Sequence, residues 1–182
     1  RRIKSLLYST DIAIIRNCDA DAVFCVYPFT AQRAISAGVL SAAAVPVFCG
    51  VGGGTTQGMR ATYLAMDAEN QGAMGVVVNA PLPNRDLRMM ARVVDIPIVA
   101  TVVSEKTDVG RRMEFGATIL NVAAGAKTAE VVAKIRKEHP RAPIIASGGK
   151  TPESITKTIE AGANAIVYTP PSSSQLFSTM MD

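Results

Sequence analysis

Short apolar runs recur along the chain. They are Val23-Phe24-Cys25-Val26, Val45-Pro46-Val47-Phe48, Gly75-Val76-Val77-Val78, Ile96-Pro97-Ile98-Val99, Thr118-Ile119-Leu120-Asn121, Pro143-Ile144-Ile145-Ala146 and Ala165-Ile166-Val167-Tyr168. Each is too short for a helix and rich in β-branched residues, so each reads as a buried strand. The stretches between them have helical spacing. In 127–138, Ala129, Val132, Ala133 and Ile135 share one predicted face, with Lys134, Lys137 and Glu138 on the other.

The strands begin in two alternating ways. Gly72-Ala73, Gly116-Ala117 and Gly162-Ala163 each follow a helix, where Gly suits the left-handed stop. Asp21-Ala22 occupies the same kind of slot. Val45-Pro46, Ile96-Pro97 and Ala142-Pro143 place Pro where no ladder donor is needed. Strands alternating with helices imply a parallel sheet with right-handed crossovers. Seven strands with short loops favour closure, so the fold class is α/β, a parallel (β/α) TIM-type barrel in one domain over 1–182. The alternation calls for an eighth strand with a Pro start, before residue 1 or after residue 182, the N-terminal side being favoured. Ile3–Cys18 reads as helix from Ile3, Leu6, Leu7 and Ile14, although Ile12–Ile15 could pass as a strand. A missing strand would leave two unpaired edges, to be hidden by self-association as a homo-oligomer or by a covering helix over 3–18.

Composition narrows the class. Of 182 residues, 48% are hydrophobic and none is Trp; Ala, Val and Ile carry the core, as in strands buried on both faces. No apolar run reaches the ~18–20 residues of a membrane span. No signal-peptide pattern opens the chain. Cys18, Cys25 and Cys49 lack metal-ligand spacing and read as free thiols of a reducing, cytoplasmic compartment. The net charge of +4 is scattered over helix faces, with Arg85, Arg88 and Arg92 on one helix and Lys134, Arg136 and Lys137 on another. Nucleic-acid recognition would want one contiguous stripe. Neither metal, cofactor, nucleic acid nor membrane is expected as a partner; a small-molecule ligand, anionic in character, is.

In such a barrel, sites lie at the C-terminal ends of the strands. Those ends carry Tyr27 and Phe29; Cys49 and Gly50–Gly54; Asn79 and Asn84; Thr101, Ser104 and Glu105; Asn121; Ser147–Lys150; and Tyr168, Thr169 and Ser172. The set is polar but mostly uncharged. Gly148-Gly149-Lys150-Thr151-Pro152 follows a strand and opens a helix, with Thr151 as N-cap and Pro152 at the first helical position. Free N–H groups there could bind an anion, aided by the helix dipole; a tight turn needing Gly only for its backbone angles is the alternative. Gly52, Gly53 and Gly54 follow a strand too, and read either as a site of close ligand approach or as a flexible loop. Asn79 and Asn121 could bond a ligand or satisfy the barrel interior. Cys49 and Lys150 are the candidate catalytic residues. Cys49 would need a base, and the one histidine, His139, ends a helix on the opposite face. Lys150 could neutralise a phosphate or form a Schiff base. Glu105 and Asp108 read as dipole partners at a helix start.

Ala142–Gly149, Thr151-Pro152-Glu153 and Glu160–Ala165 resemble the closing segment of aldolase-type phosphate-binding barrels. With Val47–Gly54, Gly75–Pro81, Asn121-Val122 and Tyr168–Pro171 added, nearly the whole chain looks like a small bacterial barrel family of unassigned role that carries only the label hydrolase. It is also distantly similar to the glycerol uptake operon antiterminator proteins. The resemblance implies an enzyme of the aldolase-type class, a hydrolase or lyase acting on a phosphorylated compound. A non-catalytic sensor of a phosphate-bearing ligand on the same scaffold is the alternative, favoured by the scarcity of charge at the strand ends. One departure bears on the phosphate: the loop after the last strand is Thr169-Pro170-Pro171-Ser172, whose prolines cannot donate. Only Thr169 or the serines could complete a cage there.

Overall fold

The computed structural model of the protein describes residues 2–181. Eight parallel strands close into a barrel in chain order: β1 (Lys4–Tyr8), β2 (Ala22–Cys25), β3 (Val47–Gly52), β4 (Gly75–Val78), β5 (Ile98–Val102), β6 (Ile119–Val122), β7 (Ile144–Ser147) and β8 (Ala165–Tyr168). The helices are α1 (Ile12–Arg16), α2 (Arg33–Ala42), α3 (Gly58–Asn70), α4 (Asn84–Met90), α5 (Val109–Glu114), α6 (Thr128–Glu138), α7 (Pro152–Glu160) and α8 (Ser173–Met181). All seven expected strands form, displaced by two residues at most at their starts. The prolines stand just ahead of their strands, where the missing N–H costs nothing. Their carbonyls do the work instead: Pro46, Pro97 and Pro143 accept from the amides of Val23, Val76 and Leu120 on the preceding strands, at 2.8–3.0 Å.

The eighth strand is a correction. It lies within 3–18, not outside the chain, and it has no Pro start. β1 pairs with β2 on one side and β8 on the other, so the barrel has no open edge and the motive for self-association or a covering helix disappears. The helical spacing misled because Leu6 and Leu7 are both buried, Leu6 facing the barrel interior and Leu7 the helix layer. A barrel strand is covered on both faces, so adjacent apolar residues need not mark a helix. The two polar residues at its start are engaged: Lys4 Nζ and the Ser5 amide both donate to the Asp21 carboxylate, at 2.8 and 2.9 Å. Asp11 then caps α1, its side chain accepting from the amides of Ala13 and Ile14.

Strand side chains sort into two layers. Leu6, Phe24, Phe48, Val77, Val99, Ile145 and Val167 fill the interior with Tyr8, Val26 and Ile119 packed on them. The alternate positions meet the helices in two outer clusters. α6 buries Thr128, Ala129, Val131, Val132 and Ile135, while Ala133 of the predicted face is exposed. α8 buries none of its side chains. Among the described residues, no helix is long and apolar enough to cross a membrane.

Candidate functional site at the barrel mouth

Period-two alternation fixes what the strands aim into the mouth. One step beyond the interior cluster, the inward positions are Tyr8, Val26, Gly50, Asn79, Thr101, Asn121, Ser147 and Thr169. Thr101 and Asn121 are paired across β5 and β6 and are each 8% exposed. Asn121 Nδ2 donates to Thr101 Oγ1 at 3.3 Å, while Asn121 Oδ1 is buried without a partner. Cys49 has the opposite parity. Its side chain lies in the helix-facing layer, across β2–β3 from Cys25, and both are fully buried. Burial pushes the Cys49 thiol up to about 11 and, with Cys49 beside it, Cys25 to about 12. Such thiols are inert packing groups at neutral pH, and Cys49 does not reach the mouth. His139 is the C-cap of α6.

The glycine loop after β3 turns out to be tightly packed. A side chain at Gly53 would stand 2.5 Å from Asn79 Cβ, and one at Gly52 2.8 Å from Ala61 Cβ. Gly53 has φ +105°, and its amide donates to Thr56 O at 2.8 Å. The glycines are therefore required by the chain's own close approach between β3, α3 and β4. Gly54, at the exposed tip, meets nothing. Gly50, Gly52, Gly53 and Asn79 do face one cavity, but it measures about 30 Å³, room for a water molecule. Thr56 Oγ1 is buried beside it with no hydrogen-bond partner. Behind it, Asp86 accepts from the Gly58 amide at 2.7 Å, and Arg112 Nη1 donates to Leu82 O and Asn84 Oδ1 at 2.7 and 2.8 Å. Both side chains are buried, and burial lowers the pKa of Arg112.

The turn after β7 is differently made. Gly148 donates to Val167 O of β8 at 3.3 Å, and Gly149 has φ +81°. The start of α7 is consumed by a capping box: the Ser154 amide donates to Thr151 Oγ1 and the Thr151 amide to Ser154 Oγ. Pro152 has no N–H, and Glu153 adds a carboxylate held below its ordinary range by its own backbone amide. The helix end thus offers less to an anion than the sequence implied. Gly149 and Lys150 are exposed, and their amides make no hydrogen bond among the described residues. Nor does this turn share a cavity with the β3 loop, which lies across the barrel, four strands away.

The mouth is open between β8, β1 and β2. A cavity of about 420 Å³ runs from the β8–α8 loop to β1 and β2, lined by Tyr8, Ser9, Thr10, Asp11, Tyr27, Thr169, Ser172 and Gln175 with Val26, Ile14, Pro28, Pro170 and Pro171. Burial raises both phenols, with Cys25 adding to it, so Tyr8 and Tyr27 are proton-bearing donors at neutral pH. Tyr27 Oη accepts from the Gln32 amide at 2.9 Å. Asp11 is held ionised by the hydroxyl of Ser173 and by the amide of Ile14. Ser172 and Gln175 cap α8 reciprocally. Tyr8, Ser9 and Thr10 are missing from the sequence-derived site because their segment reads there as helix. Ser9-Thr10-Asp11, a stop followed by a cap, is the signal that separates strand from helix. Glu105 stands in the turn before α5 rather than in the helix, which Asp108 caps. Among the described residues, no group of three or more His, Cys, Asp or Glu could hold a metal ion.

No protein-family model matches the sequence, and no curated protein matches it. Solved structures do. Phosphonopyruvate hydrolase in complex with oxalate and Mg++ superimposes with a TM-score of 0.76 at 11% identity, covering 99% of this chain and 79% of that one. Phosphoenolpyruvate phosphomutase from Streptomyces platensis subsp. rosaceus gives 0.74 at 12% identity, over 100% and 80%. 2,3-Dimethylmalate lyase, a PEP mutase/isocitrate lyase superfamily member, gives 0.73 at 12%, over 98% and 79%. The chain has the fold of these aldolase-type TIM barrels.

Proposed function

We propose that the protein is an aldolase-type barrel enzyme, a hydrolase or lyase, that binds a small phosphorylated compound in the open quarter of its mouth. The observation that carries this reading is the pair of free, exposed amides of Gly149 and Lys150 at the end of β7, with the Lys150 ammonium on the same turn and a cavity of about 420 Å³ under the next loop. Two or three charge-assisted bonds at about 1.5–3 kcal/mol each would hold a phosphate at useful affinity. In this reading Thr169 and Ser172, on the loop after β8, would add hydroxyl rather than amide donors. The named structural neighbours include a hydrolase and a lyase, which supports the enzyme reading by analogy of fold. Lys150 is the charged candidate for catalysis.

A non-catalytic sensor is the second reading. It is favoured by the inward positions of the mouth, which hold hydroxyls and amides but no carboxylate or imidazole. Titration of inorganic phosphate into the wild type and Lys150→Glu tests the site: binding is expected for the first and at least a tenfold loss for the second. Equal affinity, with both proteins folded, overturns the assignment. Turnover of a bound phosphorylated compound, followed as released phosphate or carbonyl product, separates enzyme from sensor.

A further inference from the structure

We infer that the cavity between β8, β1 and β2 selects an uncharged, hydroxyl-bearing remainder on the phosphorylated compound, so that the ligand class is a sugar or polyol phosphate rather than a phosphorylated carboxylate. This rests on the phosphate reading above. It begins with adjacency. Gly148 is bonded to Val167 of β8, two residues ahead of Thr169, so the turn with the free amides abuts the loop that roofs the cavity.

The walls give the selectivity. Lysine and arginine are not among the residues that line the cavity, and its one ionised group is the Asp11 carboxylate. A carboxylate on the ligand would meet no counter-charge there and would be repelled by Asp11. Burying it without a partner would cost far more than burying a hydroxyl. Hydroxyls, in contrast, find partners. Among the described residues the Tyr8 phenol has no hydrogen-bond partner, and burial raises its pKa, so it bears its proton at neutral pH. Thr10 and Thr169 line the cavity too, with hydroxyls that have no hydrogen-bond partner among the described residues. Ser9 accepts from the Asp11 amide, which leaves its own proton to donate. Between these lie Val26, Pro28, Pro170 and Pro171, apolar surfaces suited to the C–H faces of a carbon chain whose hydroxyls point to the sides. The prolines that spoil the β8–α8 loop as a phosphate cradle thus make it a wall for the rest of the molecule.

The test is calorimetric titration of inorganic phosphate, erythrose 4-phosphate, ribose 5-phosphate, glucose 6-phosphate and phosphoenolpyruvate into the wild type and Tyr8→Phe. At least one sugar phosphate is expected to bind tenfold or more tightly than inorganic phosphate. Phosphoenolpyruvate should gain nothing over phosphate. Tyr8→Phe should weaken the sugar phosphate several-fold and leave inorganic phosphate unchanged. The inference is overturned if no sugar phosphate exceeds inorganic phosphate, if phosphoenolpyruvate binds best, or if Tyr8→Phe weakens all ligands equally. Failure of inorganic phosphate and every phosphorylated compound to bind is the distinct failure of the phosphate site. Unphosphorylated ribose and erythritol at millimolar concentration then decide the cavity: binding lost in Tyr8→Phe upholds it, and no binding sinks it.

Discussion

The β3–β4 quarter of the barrel mouth and the β7–β8–β1 quarter are both built around glycine and hydroxyl residues, yet one is shut and the other open. After β3, the chain folds back so closely that Gly52 touches α3 and Gly53 touches Asn79 of the β4 loop. Asp86 and Arg112 then fasten those loops from behind. After β7, the amides of Gly149 and Lys150 have no hydrogen-bond partner among the described residues, and the loop after β8, with its two prolines, lines a cavity. Side chains are excluded at both turns, so the difference lies in the main chain and in the room beside it. The Gly53 amide is bonded to Thr56 O and its cavity holds about 30 Å³, whereas the Gly149 and Lys150 amides have no partner among the described residues and the next loop lines about 420 Å³.

The sharpest way to break this comparison is to add one methyl group on each side. At Gly53 the new Cβ would lie 2.5 Å from Asn79 Cβ and 2.9 Å from its backbone, at φ +105°. Backbone cannot rotate away, so Gly53→Ala should cost roughly 2–4 kcal/mol and lower Tm by about 5–15 °C. At Gly149 the new Cβ would meet Ser154 Oγ, the far end of a small rotatable side chain. Gly149→Ala should cost about 1–2 kcal/mol, part strain at φ +81° and part loss of the capping box. Thermal melts of Gly149→Ala, Ser154→Ala and the double variant separate the two, because removing the hydroxyl relieves the collision and the double loss should fall short of the sum. A Gly53→Ala protein as stable as wild type would make the β3 loop flexible after all and return it to the list of ligand loops.

Much of this difference is out of reach of the sequence. Seven strands are legible because β-branched runs such as Gly75–Val78 sit between helix stops and prolines. The positions of Asn121, Ser147 and Thr169 at the mouth follow from the same alternation. The partners of Gly52 and Gly53 are not legible, because Ala61 and Asn79 come from other elements and only the register brings them near. β1 escapes for a different reason. Its first two residues are polar, and the group that justifies them, Asp21, sits at the start of another strand. That ion-paired cluster has its own pH signature. The hydrogen bond from Lys4, first among several causes, holds the Asp21 carboxyl at about 2 against an ordinary 3.8. A carboxyl depressed in the folded state stabilises it at pH above the unfolded value, and that contribution is lost as pH falls through the folded one. The melting-temperature gap between wild type and Asp21→Asn should thus be small but constant above pH 4 and should close toward pH 2. A gap that persists at pH 2 would trace it to packing instead of charge.

The smallest effect bears most directly on whether the shut quarter is dry. Thr56 is 3% exposed, and its hydroxyl has no partner although it borders the cavity of about 30 Å³. A buried hydroxyl without a partner carries an uncompensated desolvation cost, and valine has nearly its shape. The main-chain role of the residue survives the change, since it is the Thr56 carbonyl that accepts from Gly53. If the cavity is dry, Thr56→Val removes a liability and should raise stability by up to about 1 kcal/mol, a Tm gain of a few degrees at most. If a water sits there and bonds the hydroxyl, the same substitution strands that water and should cost about 1 kcal/mol. The sign of the shift therefore decides between a sealed packing junction and a solvated niche. A dry result leaves the β7–β8–β1 quarter as the part of the mouth with room for a ligand.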